Sequence, residues 1–158
     1  GYGAALQSGF RAASKELVFY TDGDGQFDIQ EMPPLIPLME DFDVVSCYRR
    51  DRQDSIIRKL NAWCWTKLVC ILFGMNIRDI DCAFKMFRRE IFDNIKMEST
   101  GALIDAEVLA RINRKGYRIM QKPVSHLPRQ AGEQTGANIG VILRAFKELF
   151  LLRKKIKS

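Results

Sequence analysis

Leu17-Val18-Phe19-Tyr20-Thr21-Asp22-Gly23-Asp24-Gly25-Gln26-Phe27-Asp28 is the stretch on which the fold turns. Its first five residues are apolar, β-branched or aromatic, the composition of a short buried strand. The strand runs straight into two aspartates one residue apart, with Gly23 and Gly25 allowing a tight turn that a ligand can approach. As an EF-hand loop the segment fails: Phe27 stands where glycine is needed, and Pro33 where a bidentate glutamate is needed. Two readings stay open. One is a polar turn closing a strand; the other is a D-x-D pair whose hard oxygen donors share Mg2+ or Mn2+ with the phosphates of a bound nucleotide.

Upstream, Leu6, Phe10 and Ala13 recur at helical spacing. Downstream, Glu31 to Asp41 has a helical pattern entered through Pro33 and Pro34, and Val44 to Tyr48 reads as a second buried strand. Helix, strand, helix, strand with short links is the rhythm of an α/β sheet with parallel neighbours. Ligands collect beyond the carboxyl ends of such strands, where Asp22 and Asp24 fall on one strand and Arg49 and Arg50 on the next. A long helix is expected from Ser55, its N-cap, to Phe73, stopped by Gly74. Core packing is expected for most of its Trp63, Trp65, Leu68, Val69, Leu72 and Phe73, membrane contact being the alternative. Phe84 to Phe87 alternates as a strand, Ala102 to Lys115 reads as a helix ended by Gly116 in which Glu107 offsets Arg111, and Tyr117 to Gln121 is a further strand. Pro123 to Gly136 is a polar loop where His126 reads as a satisfied structural histidine, a phosphate contact being the alternative. Residues 138–158 form a basic amphipathic helix, either packed on the sheet or lying on a membrane surface.

The chain has 158 residues, 47% hydrophobic and 28% charged, enough for one domain with a core that needs no staples. Its net charge of +6 is unevenly spread: up to Val45 only Arg11 and Lys15 oppose eight acids, so the remainder is strongly basic. That asymmetry fits either a cation site at one end with an anion or membrane contact at the other, or a solvated surface whose charges happen to segregate. Cys47, Cys64, Cys70 and Cys82 form no C-x-x-C pair and, with a single histidine, read as reduced core thiols rather than a zinc site. The longest apolar run, Leu68 to Met75, is far short of the ~20 residues that span a bilayer.

The ordered series Gly1-Tyr2-Gly3-Ala4-Ala5-Leu6, Gly9-Phe10, a hydrophobic strand and Asp22-Gly23-Asp24-Gly25-Gln26-Phe27 resembles the family-2 glycosyltransferases of the GT-A fold. Among these the polyprenyl-phosphate sugar transferases, similar to dolichol-phosphate mannose synthase, match best. Tyr48-Arg49-Arg50-Asp51 stands for their paired arginines, Arg58 for an arginine on the next helix, and Arg78-Asp79-Ile80-Asp81-Cys82-Ala83-Phe84-Lys85 for R-D-x-x-S-G-F-R. Arg129, Gly132 and Thr135 follow R-x-x-G-x-S/T. Cys82, Ala83, Lys85 and Gly136 depart from the pattern, and Asp81 is an additional acid.

The resemblance implies an α/β, Rossmann-like, mostly parallel sheet flanked by helices, N-terminally truncated because the family opens with a strand and a base-binding aspartate. It implies metal-dependent, inverting transfer of a sugar from a nucleotide-sugar donor to a polyprenyl phosphate by the full-length protein, cytoplasmic and peripheral at the inner face of the membrane. Gly1, Gly3, Asp22 and Asp24 would bind the donor; Asp22, Asp24 and Gln26 would hold Mn2+ or Mg2+. Arg49, Arg50, Arg58, Arg129 and Thr135 would bind phosphates, and Asp79 or Asp81 would serve as base if the acceptor is a hydroxyl, a loop-capping side chain being the alternative for Asp79. Lys85 would stand beside the arginines, the default being a strand lysine that snorkels to solvent. The competing classes are a nucleic-acid-binding module, prompted by a pI near 9.3 but lacking any recognition motif, and an inactive remnant of the family.

Overall fold

A computed structural model describes residues 1–50, 52, 54–128 and 139–157, with side chains in the last helix described at 146 and 148–156. Helix α1 (Tyr2–Ala12) leads to β1 (Leu17–Thr21), then two 3-10 segments (Ile29–Glu31 and Pro33–Glu40) lead to β2 (Val44–Arg50). Next come α2 (Ile56–Phe73), β3 (Phe84–Arg88), α3 (Glu90–Asn94), α4 (Ile104–Arg114), β4 (Ile119–Ser125) and α5 (Ile139–Lys157).

The strands form one open sheet in the order β1-β3-β2-β4. It is mixed, which corrects the mostly parallel expectation: β2 and β4 pair in parallel, but β3 runs antiparallel to both β1 and β2. The reason lies between β2 and β3. Helix α2 carries the chain away from the carboxyl end of β2, and residues 75–83 bring it back until Asp79 meets Arg49, so β3 enters from the end that β2 left. β1 and β2 therefore flank β3 with their carboxyl ends on the same side, where Tyr20 and Ser46 both stand opposite Lys85.

Both faces of the sheet are covered. Val18, Val44 and Phe87 pack with Phe10 of α1 and Ile104, Val108 and Ile112 of α4. Val45, Cys47, Phe84 and Met86 point the other way, onto Leu35 and Met39 of the second 3-10 segment. A further apolar cluster joins Val69 and Cys70 of α2, Leu109 of α4 and Leu149 and Leu152 of α5. Ser55 caps α2 by accepting from the Arg58 N–H, and Gly74 ends it in the left-handed region at φ 65°, both as expected.

Several expectations are revised. The segment from Glu31 to Asp41 is 3-10 rather than α-helical: Pro33 and Pro34 suit a first turn, but Pro37 lies inside the segment, where it lacks an N–H and its ring crowds the preceding turn. Strand β4 continues through Pro123 to Ser125; Pro123 is tolerated because β4 is an outer strand of the described sheet. Trp63 is exposed, not core, and Cys64 is exposed although all four thiols are free. The short helix α3 stands where the sequence pattern predicts no element.

Candidate active site

The end of β1 carries the acidic turn. Asp24 Oδ1 accepts from the Gln26 N–H at 3.1 Å, and Gly25 adopts φ 74°, a conformation only glycine takes without strain. Gly23 does not share that need, since its φ is not positive. Gln26 is tied across the site: its Nε2 donates to the Leu127 carbonyl at 3.2 Å and its own carbonyl accepts from the Leu127 N–H at 2.9 Å. The turn thus holds the His126–Pro128 segment beside it. His126 is buried with its ring edge-on to Phe27, and its Nδ1 has no partner among the described residues, which revises the satisfied reading. Burial, then the positive charges of Arg49 and Arg52, lower its pKa.

Below the turn, Lys85, the second residue of β3, is fully buried and does not snorkel to solvent. Its ammonium donates to Asp105 Oδ1 at 3.0 Å, the Tyr20 hydroxyl at 3.0 Å and the carbonyls of Ile80 at 2.9 Å and Cys82 at 2.5 Å. Tyr20 also donates to Asp105, while the Tyr2 hydroxyl lies 3.4 Å from Asp22 Oδ1 and 3.5 Å from Asp105 Oδ2. Burial, followed by the charges of Asp24 and Asp105, raises the pKa of Asp22. The missed members here are Asp105, Tyr2 and Tyr20. Asp105 was findable: it shares the helical face of Val108 and Leu109, and an acid on a buried apolar face needs a partner.

A second group sits at the end of β2. Arg49 grips Asp79 in a two-pronged pair, Nε to Oδ2 and Nη2 to Oδ1 each at 2.7 Å, and the Arg49 N–H adds a contact at 3.3 Å. Burial alone would raise Asp79, but Arg49 outweighs it and holds the carboxyl below its usual range. Arg52 and Arg58 both reach Asp54, at 2.8 and 3.3 Å, while Arg50 is exposed. Asp81 lies between the two groups. The surrounding protein first, then the negative charges of Asp105 and Asp79, push its pKa up to about 6, a shift tempered by the water that reaches it. Arg129 and Thr135 lie outside the described residues.

Gly1 and Gly3 have a packing reason for their identity. A Cβ on Gly3 would lie 2.6 to 2.8 Å from the backbone of Ser99 to Gly101, and one on Gly1 would lie 3.1 Å from the Thr100 carbonyl. Gln7 Nε2 donates to the Ser99 carbonyl at 2.8 Å, and buried Glu107 accepts from the N–H groups of Glu98 and Ser99 while pairing with Arg111 at 2.8 Å. Helix α1 is thereby seated against the start of α4, which sets Tyr2 over Asp105 and Asp22.

Among the described residues no three His, Cys, Asp or Glu side chains converge as a ready metal cluster. The donors that suit a hard cation are the Asp22 and Asp24 carboxylates and the Gln26 amide, with the orphaned His126 nitrogen on the neighbouring segment. Burial is the larger cause of the raised pKa of Asp22, and the neighbouring charges of Asp24 and Asp105 add to it.

Residues 1–96 match Glycosyl transferase family 2. A dodecaprenyl-phosphate galacturonate synthase of Rhizobium johnstonii is 28% identical over 99% of this chain and 48% of its own length. An undecaprenyl-phosphate 4-deoxy-4-formamido-L-arabinose transferase of Aeromonas hydrophila is 34% identical over 84% of this chain and 40% of its own, and a dolichyl-phosphate hexose transferase of Haloferax volcanii is 30% identical over 84% and 59%. The chain thus spans about half the length of the curated relatives it matches. In three dimensions it is similar to glucosyl-3-phosphoglycerate synthase from Mycobacterium tuberculosis. The TM-score is 0.72 at 18% identity for the complex with uridine-diphosphate, covering 98% of this chain and 55% of that one. For the complex with Mn2+, uridine-diphosphate-glucose and glycerol 3-phosphate, it is 0.69 at 19% identity, covering 97% and 55%. That likeness establishes the GT-A fold, and with the match over residues 1–96 the chain belongs to glycosyl transferase family 2.

Proposed function

We propose that this chain is the catalytic and acceptor-binding part of a glycosyltransferase that moves a sugar from a nucleotide-sugar to a polyprenyl phosphate, with inversion. The observation that carries the reading is the convergence, at one end of the sheet, of an acidic turn on β1 and an arginine group on β2 within a family-2 chain. The printed activities of the relatives support a polyprenyl-phosphate acceptor, and the neighbour's complex with Mn2+ and uridine-diphosphate-glucose supports the donor class and the cation.

Asp22, Asp24 and Gln26 would hold Mn2+ or Mg2+, with His126 the further donor within the same wall of the site. A divalent cation held there would supply positive charge to offset a departing diphosphate. Arg49, Arg50 and Arg58, with Arg52 beside them, and Arg129 and Thr135 from the following segment, bind phosphate oxygens. Asp79 is a positioning residue: its grip on Nε and one Nη2 hydrogen of Arg49 leaves the other N–H groups of the fork to face a ligand. Gly1 and Gly3 serve the donor side by letting α1 seat closely. A lipid phosphate is already anionic and needs no base. For a hydroxyl acceptor, Asp81, whose carboxyl is raised in pKa and reached by water, is better suited to take the proton than Asp79, whose carboxyl is lowered by Arg49. The described helices contain none long and apolar enough to cross a membrane, and the basic helix α5 supports a peripheral place at the inner face.

Titration of a panel of nucleotide sugars into the full-length protein, with and without Mn2+, tests the reading. Donor binding should require Mn2+, and Asp24→Ala should abolish turnover while the protein stays folded. Undiminished turnover of Asp24→Ala, or RNA binding in place of donor binding, would refute it.

A further inference from the structure

Helix α2 is apolar on two opposite sides. Its inner side, Thr66, Val69 and Cys70 with Phe73, packs into the core. Its outer side carries Ile56, Leu60, Trp63 and Ile71, which recur with Lys67 at steps of three and four and so form one stripe, with Ile57 beside it. These five apolar side chains are between 56% and 84% exposed. Scattered exposed apolar residues are ordinary, but a stripe along an 18-residue helix marks a contact surface. Helix α5 packs against α2, with Trp65 edge-on to Phe146 at 5.6 Å, and extends the exposed set with Phe150 and Leu151.

Charge selects the occupant. Across α2 and α5 the sequence has nine basic residues and one acid, a surplus larger than the net +6 of the whole chain, and α2 has no acid at all. A second copy of this chain would oppose that surface with the same sign of charge, which costs association energy. An anionic bilayer complements both properties at once: apolar side chains enter the boundary of the acyl region, Trp63 sits at headgroup level, and lysines such as Lys59, Lys67 and Lys154 extend to lipid phosphates. We infer that the outer face of α2, continued by α5, lies on an anionic lipid surface. The stripe starts one turn from the Arg52–Asp54–Arg58 group, so the face would deliver a membrane-held phosphate to the arginines without removing its lipid from the bilayer. This deepens the polyprenyl-phosphate reading and rests on it for its purpose, while its observations are independent.

Trp63 and Trp65 are the two tryptophans, so Trp65→Phe leaves Trp63 as the single indole reporter. With vesicles of phosphatidylglycerol and phosphatidylcholine its emission should shift to the blue and become shielded from acrylamide; vesicles of phosphatidylcholine alone should leave it unchanged. In flotation with the same vesicles, Ile57→Ser/Leu60→Ser/Ile71→Ser should lower the partition coefficient about tenfold or more. Ile36→Ser, an exposed apolar residue of the second 3-10 segment, should not change it. Full flotation of the triple variant, or an unmoved Trp63 emission, would overturn the assignment. So would a dimer in sedimentation that the triple variant dissolves while vesicles never bind. Neither measurement uses donor or acceptor, so failure here leaves sugar transfer standing, and failure of sugar transfer leaves vesicle binding standing.

Discussion

Replacing Lys85 with methionine removes the ammonium around which the floor of the site is built. The side chain is 1% exposed, and its Nζ satisfies Asp105, Tyr20 and two main-chain carbonyls. At 3.0 Å and an effective dielectric constant of about 20, the Lys85–Asp105 attraction is roughly 5 kcal/mol before desolvation is subtracted. Lys85→Met leaves the Asp105 carboxylate buried without a counter-charge, and breaking such a pair costs about 3–5 kcal/mol. For a chain of this length each kcal/mol lowers Tm by about 2–4 °C, so a fall of roughly 6–20 °C is expected. Because methionine fills a similar volume, lost packing contributes little. Urea denaturation of the parent, Lys85→Met, Asp105→Asn and the double variant closes a thermodynamic cycle. The double variant should be more stable than Lys85→Met alone, since it carries no isolated charge. A loss below about 1 kcal/mol for Lys85→Met, or a double variant whose loss is the sum of the two singles, would refute the pairing argument.

Gly3→Ala should destabilise by about 1–3 kcal/mol because the new methyl meets main-chain carbonyls. Gly9→Ala on the same helix, with open space around it, should stabilise by about 0.5–1 kcal/mol; thermal melts of the two variants check the contrast. Asp79 and Asp81 should respond to pH with opposite signs. The folded-state pKa of Asp79 is depressed, so the stability it contributes is present above its ordinary value of 3.8 and is lost as pH falls through the folded value. Asp79→Asn should therefore be far less stable than the parent at neutral pH and approach it in acid. The folded-state pKa of Asp81 is raised, so Asp81→Asn should match the parent below 3.8 and gain on it as pH rises toward 6, by a modest amount because water screens the exposed carboxyl. Denaturation midpoints measured across that range decide both.

What could be read from the sequence was local. Ser55 and Gly74 bound α2 as expected because capping depends on residues within one turn. The acidic turn and the paired arginines arrived at one end of the sheet because strand carboxyl ends follow from chain order in an α/β pattern. The direction of β3 was not legible, since it depends on the path of residues 75–83 across the height of the sheet. Nor was the fate of Lys85, which a strand pattern places on a face without saying that Asp105 waits there from a helix later in the chain. Trp63 was misplaced because α2 is apolar on both sides, and composition alone cannot tell which side meets the core.

The strand order β1-β3-β2-β4 contains no hairpin. Phe19 and Val45 both find their partner at Met86, and Val45 meets Met120 on its other side, so every ladder joins segments far apart in the chain. Within the described sheet, β1 and β2 are both made well before β3, the strand that they share as a partner. Each of these ladders closes only after a long loop has lost its freedom, so their formation belongs with slow, topology-limited events rather than with local hairpin closure.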